Sequence, residues 1–265
     1  MSEPVGECPK LDEQPQMAQE TTTIKEPVHP IADGTSCGFL VTAPRHKHSA
    51  ANEAIYLLTA FCTQGTGNQD TRSCFEEVVL PDVSGCEFIK LNTEKCAEIG
   101  CEVSPSKIGF ELMGSLDSSK GPCERWNATK DIARLLPVER ICARVDKHDT
   151  LKDFIAHRFP ETLEDPSAPP PKFSVQYEEH STGALHVEHD VQAKIIADMV
   201  PAIYPVDIRN PEYTILVIDV SNMCMMSVVK DWNKLYHYNV NMLGRVHQLA
   251  GYRLPAEIDE SVNMQ

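Results

Sequence analysis

The sequence contains no long hydrophobic run. No window in its 265 residues approaches the roughly 20 consecutive apolar residues that a membrane-spanning helix needs. The first residues also lack the apolar core of a signal peptide. We therefore expect a protein with no membrane partner that is intracellular rather than secreted, in the nucleus, the nucleolus or the cytoplasm.

Closely spaced cysteines are missing as well. The chain has 10 cysteines, but none forms a Cys-x-x-Cys pair, and the closest two are Cys96 and Cys101. Without a secretory signal, reduced thiols are expected. The His-Val-Glu-His run at residues 186–189 begins like a zinc deaminase motif, which also needs Pro-Cys-x-x-Cys downstream. Only Cys224 follows it, so we expect no metal site.

Two further signatures are absent, namely a Gly-x-Gly-x-x-Gly loop and a Walker motif. These glycine-rich loops bring backbone N–H groups close to the phosphates of a dinucleotide or a nucleoside triphosphate. Their absence predicts that the chain binds no nucleotide cofactor through such a loop.

Positive charge is scarce over the chain as a whole. There are 24 lysines and arginines against 39 acids, which gives a net charge of −15 and a sequence pI near 5.1. This balance argues against a general phosphate-binding surface. Any contact with nucleic acid would have to come from a local basic face.

One segment departs from this acidic average. Residues 120–158 contain nine lysines and arginines against six acids, so the segment has a net charge of +3 and the rest of the chain −18. Arginine suits bidentate contacts to phosphate, whereas a solvated face of surface ion pairs is the alternative for any single residue. The candidate phosphate-binding residues are Arg134, Arg140 and Arg144, with Lys130 and Lys147 in support and Lys172 and Lys230 as further candidates.

The most apolar stretch is predicted to be a pair of strands. Residues 213–220 are rich in β-branched and aromatic side chains, and residues 223–229 form a second apolar run. Ser221 and Asn222 separate the two runs with turn chemistry, which indicates two strands joined by a tight turn. A strand that is apolar on both faces must be covered on both, so we expect much of the chain to pack here.

The part of the chain before residue 123 divides into a leader and a first unit. Residues 1–36 are acidic and show no hydrophobic period, which predicts a disordered leader. A strand, a helix, a strand and a helix then indicate a small α+β unit over residues 37–122. These elements are predicted at residues 38–43, at 49–62, at 87–91 and from Pro105 onward.

A second unit is predicted over residues 123–232, with residues 233–265 forming a docked helix and a polar tail. Asp149 or Thr150 is the predicted N-cap of its first helix. Alternation of apolar and polar residues at 172–177 predicts a half-buried strand, and apolar residues at every fourth position over 187–199 predict another helix.

Three runs of the sequence resemble a known family. They are Ala-Arg-Leu-Leu-Pro-Val at residues 133–138, Arg-Asn-Pro-Glu-Tyr-Thr-Ile-Leu-Val at 209–217 and Cys-Met-Met-Ser-Val-Val-Lys-Asp at 224–231. Together they resemble the THUMP-domain family, in particular the THUMP domain-containing protein 1 family of tRNA acetylation adaptors. The resemblance departs from the family in two respects: the leader is acidic rather than basic, and only Cys224 matches a pair of cysteines in the last strand.

The resemblance implies an α+β architecture in which a ferredoxin-like unit precedes a THUMP domain and both bind tRNA. It further implies an adaptor that presents tRNA to an RNA cytidine acetyltransferase, which uses acetyl-CoA to form N4-acetylcytidine in the D-arm. The basic residues named above would then be RNA-binding residues. The chain itself is predicted not to be an enzyme and to have no cofactor, metal or catalytic residue.

Two rival interpretations accompany this one. A protein-interaction scaffold of the same fold, with weak or no RNA binding, is favoured by the charge of −15 and by the acidic leader. A catalytic THUMP protein would need a further domain, for which residues 1–36 and 233–265 leave little room. Titration of tRNA at several salt concentrations separates the adaptor from the scaffold, because phosphate contacts weaken steeply as salt rises.

Overall fold

The described part of the chain forms two four-stranded sheets with helices packed on them. The computed structural model describes residues 29–43, 47–80, 83–116, 131–159, 168–180 and 188–243. The mixed α and β class is therefore as predicted. Lys130, His186 and most of the predicted leader lie outside the described residues.

The first sheet has the strand order of a ferredoxin-like unit. Its spatial order is β2-β3-β1-β4, and all neighbours are antiparallel. Among the described residues, one α-helix lies between β1 and β2 and two lie between β3 and β4, so the predicted ferredoxin-like unit is confirmed. The strands are β1 (Gly38–Thr42), β2 (Phe75–Val78), β3 (Cys86–Leu91) and β4 (Arg134–Val138).

The three helices of this unit are α1 (Lys47–Thr66), α2 (Thr93–Glu98) and α3 (Pro105–Leu116). Helix α3 approaches the edge strand β4 closely, because a Cβ atom built on Gly109 would lie 2.6 Å from Cγ of Pro137. A proline is tolerated in β4 because this strand has a neighbour on one side only. Pro137 therefore lies within the strand and not at its end.

Strand β4 corrects the predicted assignment of elements to units. The sequence places residues 132–145 at the start of the second unit, but Leu136 pairs with Leu40 of β1 in the first sheet. The first sheet is therefore completed by residues beyond the predicted boundary at 122 and 123. One residue, Glu139, then separates β4 from the first strand of the second sheet.

The second sheet has the order β5-β8-β7-β6. The outer pair β6 and β7 is parallel, and the other neighbours are antiparallel. A parallel pair needs a crossover connection, which a helix between β6 and β7 supplies. The strands are β5 (Arg140–Ala143), β6 (Phe173–His180), β7 (Tyr213–Val220) and β8 (Met223–Lys230).

Two helices belong to this sheet. Helix α4 (Lys147–Arg158) begins with Asp146 at its N-cap, three or four residues before the predicted caps Asp149 and Thr150. Helix α5 (His189–Ala197) is the crossover between the parallel strands.

The strand pair β7 and β8 has the tight turn that the sequence predicts, and it also joins the two units. Ile218 and Met225 pack in the core shared with the first sheet, whereas the adjacent residues Val217 and Met226 face the other way and pack against the second unit's own helices. Ser221 in the connecting turn has a φ of 54°, which is the left-handed conformation that tight hairpin turns require. Both faces of the pair are thus covered.

Residues 233–239 form turns instead of the predicted docked helix. Tyr236, His237 and Tyr238 have φ values of 51°, 60° and 56°, and three left-handed residues in a row exclude an α-helix there. Tyr238 is nevertheless fully buried, and its hydroxyl donates a hydrogen bond to the Lys230 carbonyl at 3.1 Å. Residues 240–243 are helical, and the rest of the predicted tail lies outside the described residues.

The predicted leader also reaches too far into the chain. Its last residues, from 29 to 36, are described, and Ile31 is buried in the first core. The backbone N–H of Gly34 donates a hydrogen bond to the Ile141 carbonyl of β5 at 2.9 Å. In the described part of the chain, no helix has the length and apolarity needed to cross a membrane.

Candidate nucleic-acid interface

Three of the predicted basic residues meet at one end of the second sheet. Arg134 pairs with Glu178, Arg144 with Glu179, and Lys147 with Asp219. These three acids lie at the carboxyl ends of the parallel strands β6 and β7. We call the group the carboxyl-end cluster; it consists of Arg134, Arg144, Lys147, Tyr177, Glu178, Glu179, His180 and Asp219.

The other predicted residues that the structure describes lie elsewhere. Lys172 precedes β6 and pairs with Asp207 at 3.0 Å, and Lys230 lies opposite Tyr213 at the start of β7. Eight-residue strands place these two lysines about 23 Å from the carboxyl-end cluster. Arg140, at the start of β5, pairs with Asp153 at 2.8 Å. The sequence predicted one basic face. In the structure the described basic candidates lie in three places: the carboxyl-end cluster, the start of β5, and the opposite end of the second sheet.

The Arg134 end of the cluster connects the two sheets. Both terminal nitrogens of Arg134 donate to the carboxylate of Glu178 at 2.6 Å. Burial alone would raise the pKa of Glu178, but hydrogen bonds from His180 and Arg134 lower it to about 2. Hydrogen bonds to Cys86 and then Glu178 raise the pKa of His180 to about 9, so this imidazole is a cation at neutral pH. The bidentate geometry fixes Arg134 between β4 and β6.

Asp219 is the centre of the other end. Its side chain is only 1% exposed, and its Oδ2 atom accepts hydrogen bonds from Tyr177 at 2.8 Å and Lys147 at 2.9 Å. The Nε atom of Arg144 lies 3.4 Å from the same oxygen. A buried carboxylate is stable only when it is paired and hydrogen-bonded, and here it holds two basic side chains in fixed positions. Burial, followed by the hydrogen bond to Asp219, raises the pKa of Tyr177 above its usual range.

Arg144 is the most exposed cation of the cluster. Its side chain is 34% exposed, against 21% for Arg134 and 16% for Lys147. Its Nη2 atom donates to Glu179 at 2.7 Å. Because Arg144 directly follows β5, the turn after this strand presents its guanidinium group at the rim of the sheet. It is therefore the side chain of the cluster that an anionic ligand reaches first.

The sequence did not identify the acids of the cluster or His180. Glu179 lies 35 residues after Arg144, and Asp219 lies 72 residues after Lys147. A count of charge within residues 120–158 therefore could not include them. The signal that would have identified them is the convergence of the carboxyl ends of parallel strands at one edge of a sheet.

The chemistry of the cluster is electrostatic. Four cations and three carboxylates meet there, so the site has a small positive charge within an acidic protein. Among the described residues, no group of three or more His, Cys, Asp or Glu side chains is arranged to hold a metal ion. His189, from the run that resembles a deaminase motif, packs edge-on against the ring of Tyr177 with centroids 5.4 Å apart.

Several solved structures are similar to this chain. A 4-thiouridine synthetase in complex with RNA and ATP is 10% identical, with a TM-score of 0.40, over 74% of this chain and 42% of that chain. SMU.472, a putative methyltransferase complexed with SAH, is 13% identical, with a TM-score of 0.33, over 73% and 41%. The THUMP domain of THUMP domain-containing protein 1 is 22% identical, with a TM-score of 0.26, over 31% and 84%.

These similarities contradict the prediction that the chain is not an enzyme. The structures that align with it include a synthetase and a putative methyltransferase. The missing glycine-rich and Walker motifs excluded only two ways of binding a nucleotide, which is a narrower conclusion than the absence of catalysis.

One curated protein is similar to part of this chain. No protein-family model matches the chain. THUMP domain-containing protein 1 from Mus musculus is 27% identical over 142 residues, which make up 52% of this chain and 37% of the relative. The chain thus spans well under half the length of that relative. This match confirms the resemblance found in the three sequence runs: the chain is similar to THUMP domain-containing protein 1 over about half of its own length.

Proposed function

We propose that the protein binds structured RNA, and specifically tRNA, in the course of tRNA modification. The observation that carries this proposal is the carboxyl-end cluster, where Arg134, Arg144 and Lys147 are brought together at one sheet edge. Preorganised cations lose little conformational entropy when phosphates bind. RNA is recognised largely through its phosphates, its 2′-hydroxyls and its shape, which suits a site of this kind.

We further propose the role that the family resemblance implies. The chain would present tRNA to an RNA cytidine acetyltransferase, which forms N4-acetylcytidine in the D-arm and brings acetyl-CoA as its own cofactor. The THUMP domain-containing relative supports this role through its family only. Mapping acetylcytidine in tRNA after deletion of the gene tests it: loss of the modification is expected, and unchanged acetylcytidine would reject the adaptor role.

The RNA-binding proposal is tested by measuring tRNA affinity against salt. Fluorescence anisotropy with labelled tRNA should give an affinity that falls roughly 20- to 40-fold between 50 and 200 mM salt if about three phosphates are contacted. Arg144→Gln should weaken binding, and Lys234→Gln is the matched control. Lys234 also loses one charge, is 76% exposed, and lies beyond the opposite end of β8. Absence of tRNA binding at low salt would contradict the proposal.

A protein-interaction scaffold is the second candidate. The observation in its favour is that each cation of the carboxyl-end cluster already has a carboxylate partner, within a chain whose net charge is −15. If these pairs served only stability, Arg144→Gln would lower the melting temperature without changing tRNA affinity.

A further inference from the structure

The guanidinium group of Arg144 bridges two carboxylates. Its Nη2 atom donates to Glu179 at 2.7 Å, and its Nε atom lies 3.4 Å from Asp219. Glu179 and Asp219 occupy the same register position on the adjacent strands β6 and β7. Side chains at such positions point to the same face about 5 Å apart, so the two carboxylates repel each other unless a cation lies between them.

The two carboxylates hold Arg144 in different ways. Asp219 also accepts hydrogen bonds from Tyr177 and Lys147 and is almost completely buried. The distance from Arg144 to Asp219 is longer than the distance from Arg144 to Glu179. The contact with Asp219 is made by Nε, the guanidinium nitrogen that is bonded to the methylene chain of the side chain. Glu179 instead takes a terminal nitrogen, the part of the guanidinium group that would otherwise bind phosphate in a fork. Asp219 therefore positions Arg144, whereas Glu179 occupies its binding group.

We propose that Glu179 competes with RNA phosphate for Arg144 and so limits the affinity of the carboxyl-end cluster for isolated phosphates. This inference rests on the proposed RNA binding. A single phosphate meets a site in which Glu178, Glu179 and Asp219 offset most of the positive charge. An RNA fold that offers several phosphates to Arg134, Arg144 and Lys147 together overcomes this competition. The result is discrimination in favour of folded RNA by an acidic protein.

The test is Glu179→Gln, which removes the competing charge and keeps the shape of the side chain. We expect tRNA affinity to rise about five- to tenfold, from the repulsion between charges roughly 6 Å apart at an effective dielectric constant of about 40. The slope of log affinity against log salt should steepen by about 0.7–0.9, the value for one additional phosphate contact. Glu98→Gln is the matched control, because Glu98 is an exposed residue in α2 that changes the net charge equally.

A double-mutant cycle with Arg144 shows whether the effect passes through that residue. In an Arg144→Ala background, Glu179→Gln should raise tRNA affinity no more than Glu98→Gln does. Unchanged or weaker binding by Glu179→Gln, in a variant whose circular dichroism spectrum matches the parent, would overturn the inference while leaving RNA binding intact. Failure of the parent and of every variant to bind tRNA at low salt would instead reject the proposed function. If Glu179→Gln is poorly folded, Glu179→Ala in the same cycle shows whether removal of the carboxylate raises or lowers tRNA affinity.

Discussion

Removing the carboxylate of Glu139 should loosen the joint between the two sheets. This side chain is only 10% exposed. Its Oε1 atom accepts hydrogen bonds from Ser106 of α3 at 2.7 Å and from Arg158 of α4 at 3.0 Å. Its Oε2 atom accepts from the backbone N–H of Val228 in β8 at 3.0 Å and from Ser227 at 3.3 Å. One carboxylate therefore ties together three elements from both units.

The expected cost of Glu139→Ala is about 3 kcal/mol of unfolding free energy. Removing one partner of a buried ion pair costs roughly 3–5 kcal/mol. The lower end applies because the Arg158 side chain is 27% exposed and regains part of its hydration. At about 2–4 °C per kcal/mol for a chain of this size, the melting temperature should fall by about 6–12 °C.

Urea unfolding followed by tryptophan fluorescence measures this change. Glu139→Gln, which keeps one acceptor oxygen, should lose about half as much, since a neutral hydrogen bond is roughly half as strong as a charged one. Glu98→Ala, on an exposed helix position, should stay within about 0.5 kcal/mol of the parent. A loss below about 1 kcal/mol for Glu139→Ala would refute the view that this carboxylate joins the units.

Three further predictions concern stability. The folded pKa of His180 is about 9, above its ordinary 6.5, so its contribution of roughly 3 kcal/mol to the free energy of unfolding is complete below pH 6.5 and is lost as pH rises through 9. His180→Gln should make the melting temperature depend less on pH over that range. Gly109→Ala should cost about 1–3 kcal/mol by overpacking against Pro137, whereas Gly114→Ala in the same helix, with open space around it, should gain about 0.5–1 kcal/mol; urea unfolding of both variants checks the difference. Ser221→Gly should stabilise the hairpin by about 1 kcal/mol, since a left-handed φ of 54° costs a serine about that much; a lower melting temperature would contradict it.

Local sequence patterns predicted the elements well and their partners poorly. The apolar runs on either side of Ser221 predicted β7 and β8, because a hairpin depends on neighbouring residues. The membership of β4 in the first sheet depends on Leu136 meeting Leu40, a pairing between residues far apart in the sequence that no local pattern records.

The candidate site was predicted only in part, and the reason is the same. Arg134, Arg144 and Lys147 were identified as cations, and three of the predicted residues do converge. Their partners Glu178 and Glu179 directly follow residues 172–177, whose alternation predicts a half-buried strand. That alternation does not predict which side chains from other elements lie beside the end of the strand. Whether a charge is exposed or compensated is a property of the tertiary fold, so the local net charge of residues 120–158 overestimated how basic this face is.

The position of β4, only one residue before β5, affects how the chain folds during its synthesis. Strand β1 ends at Thr42, yet the edge strand beside it arrives only at Arg134–Val138. During synthesis one side of β1 therefore stays unpaired until residue 138 has left the ribosome, and an unpaired strand edge invites pairing with other chains. The next strand to emerge is β5, which already belongs to the second sheet. A fragment that stops at residue 122 should consequently aggregate, and one that stops at residue 138 should be the shortest that contains all four strands of the first sheet.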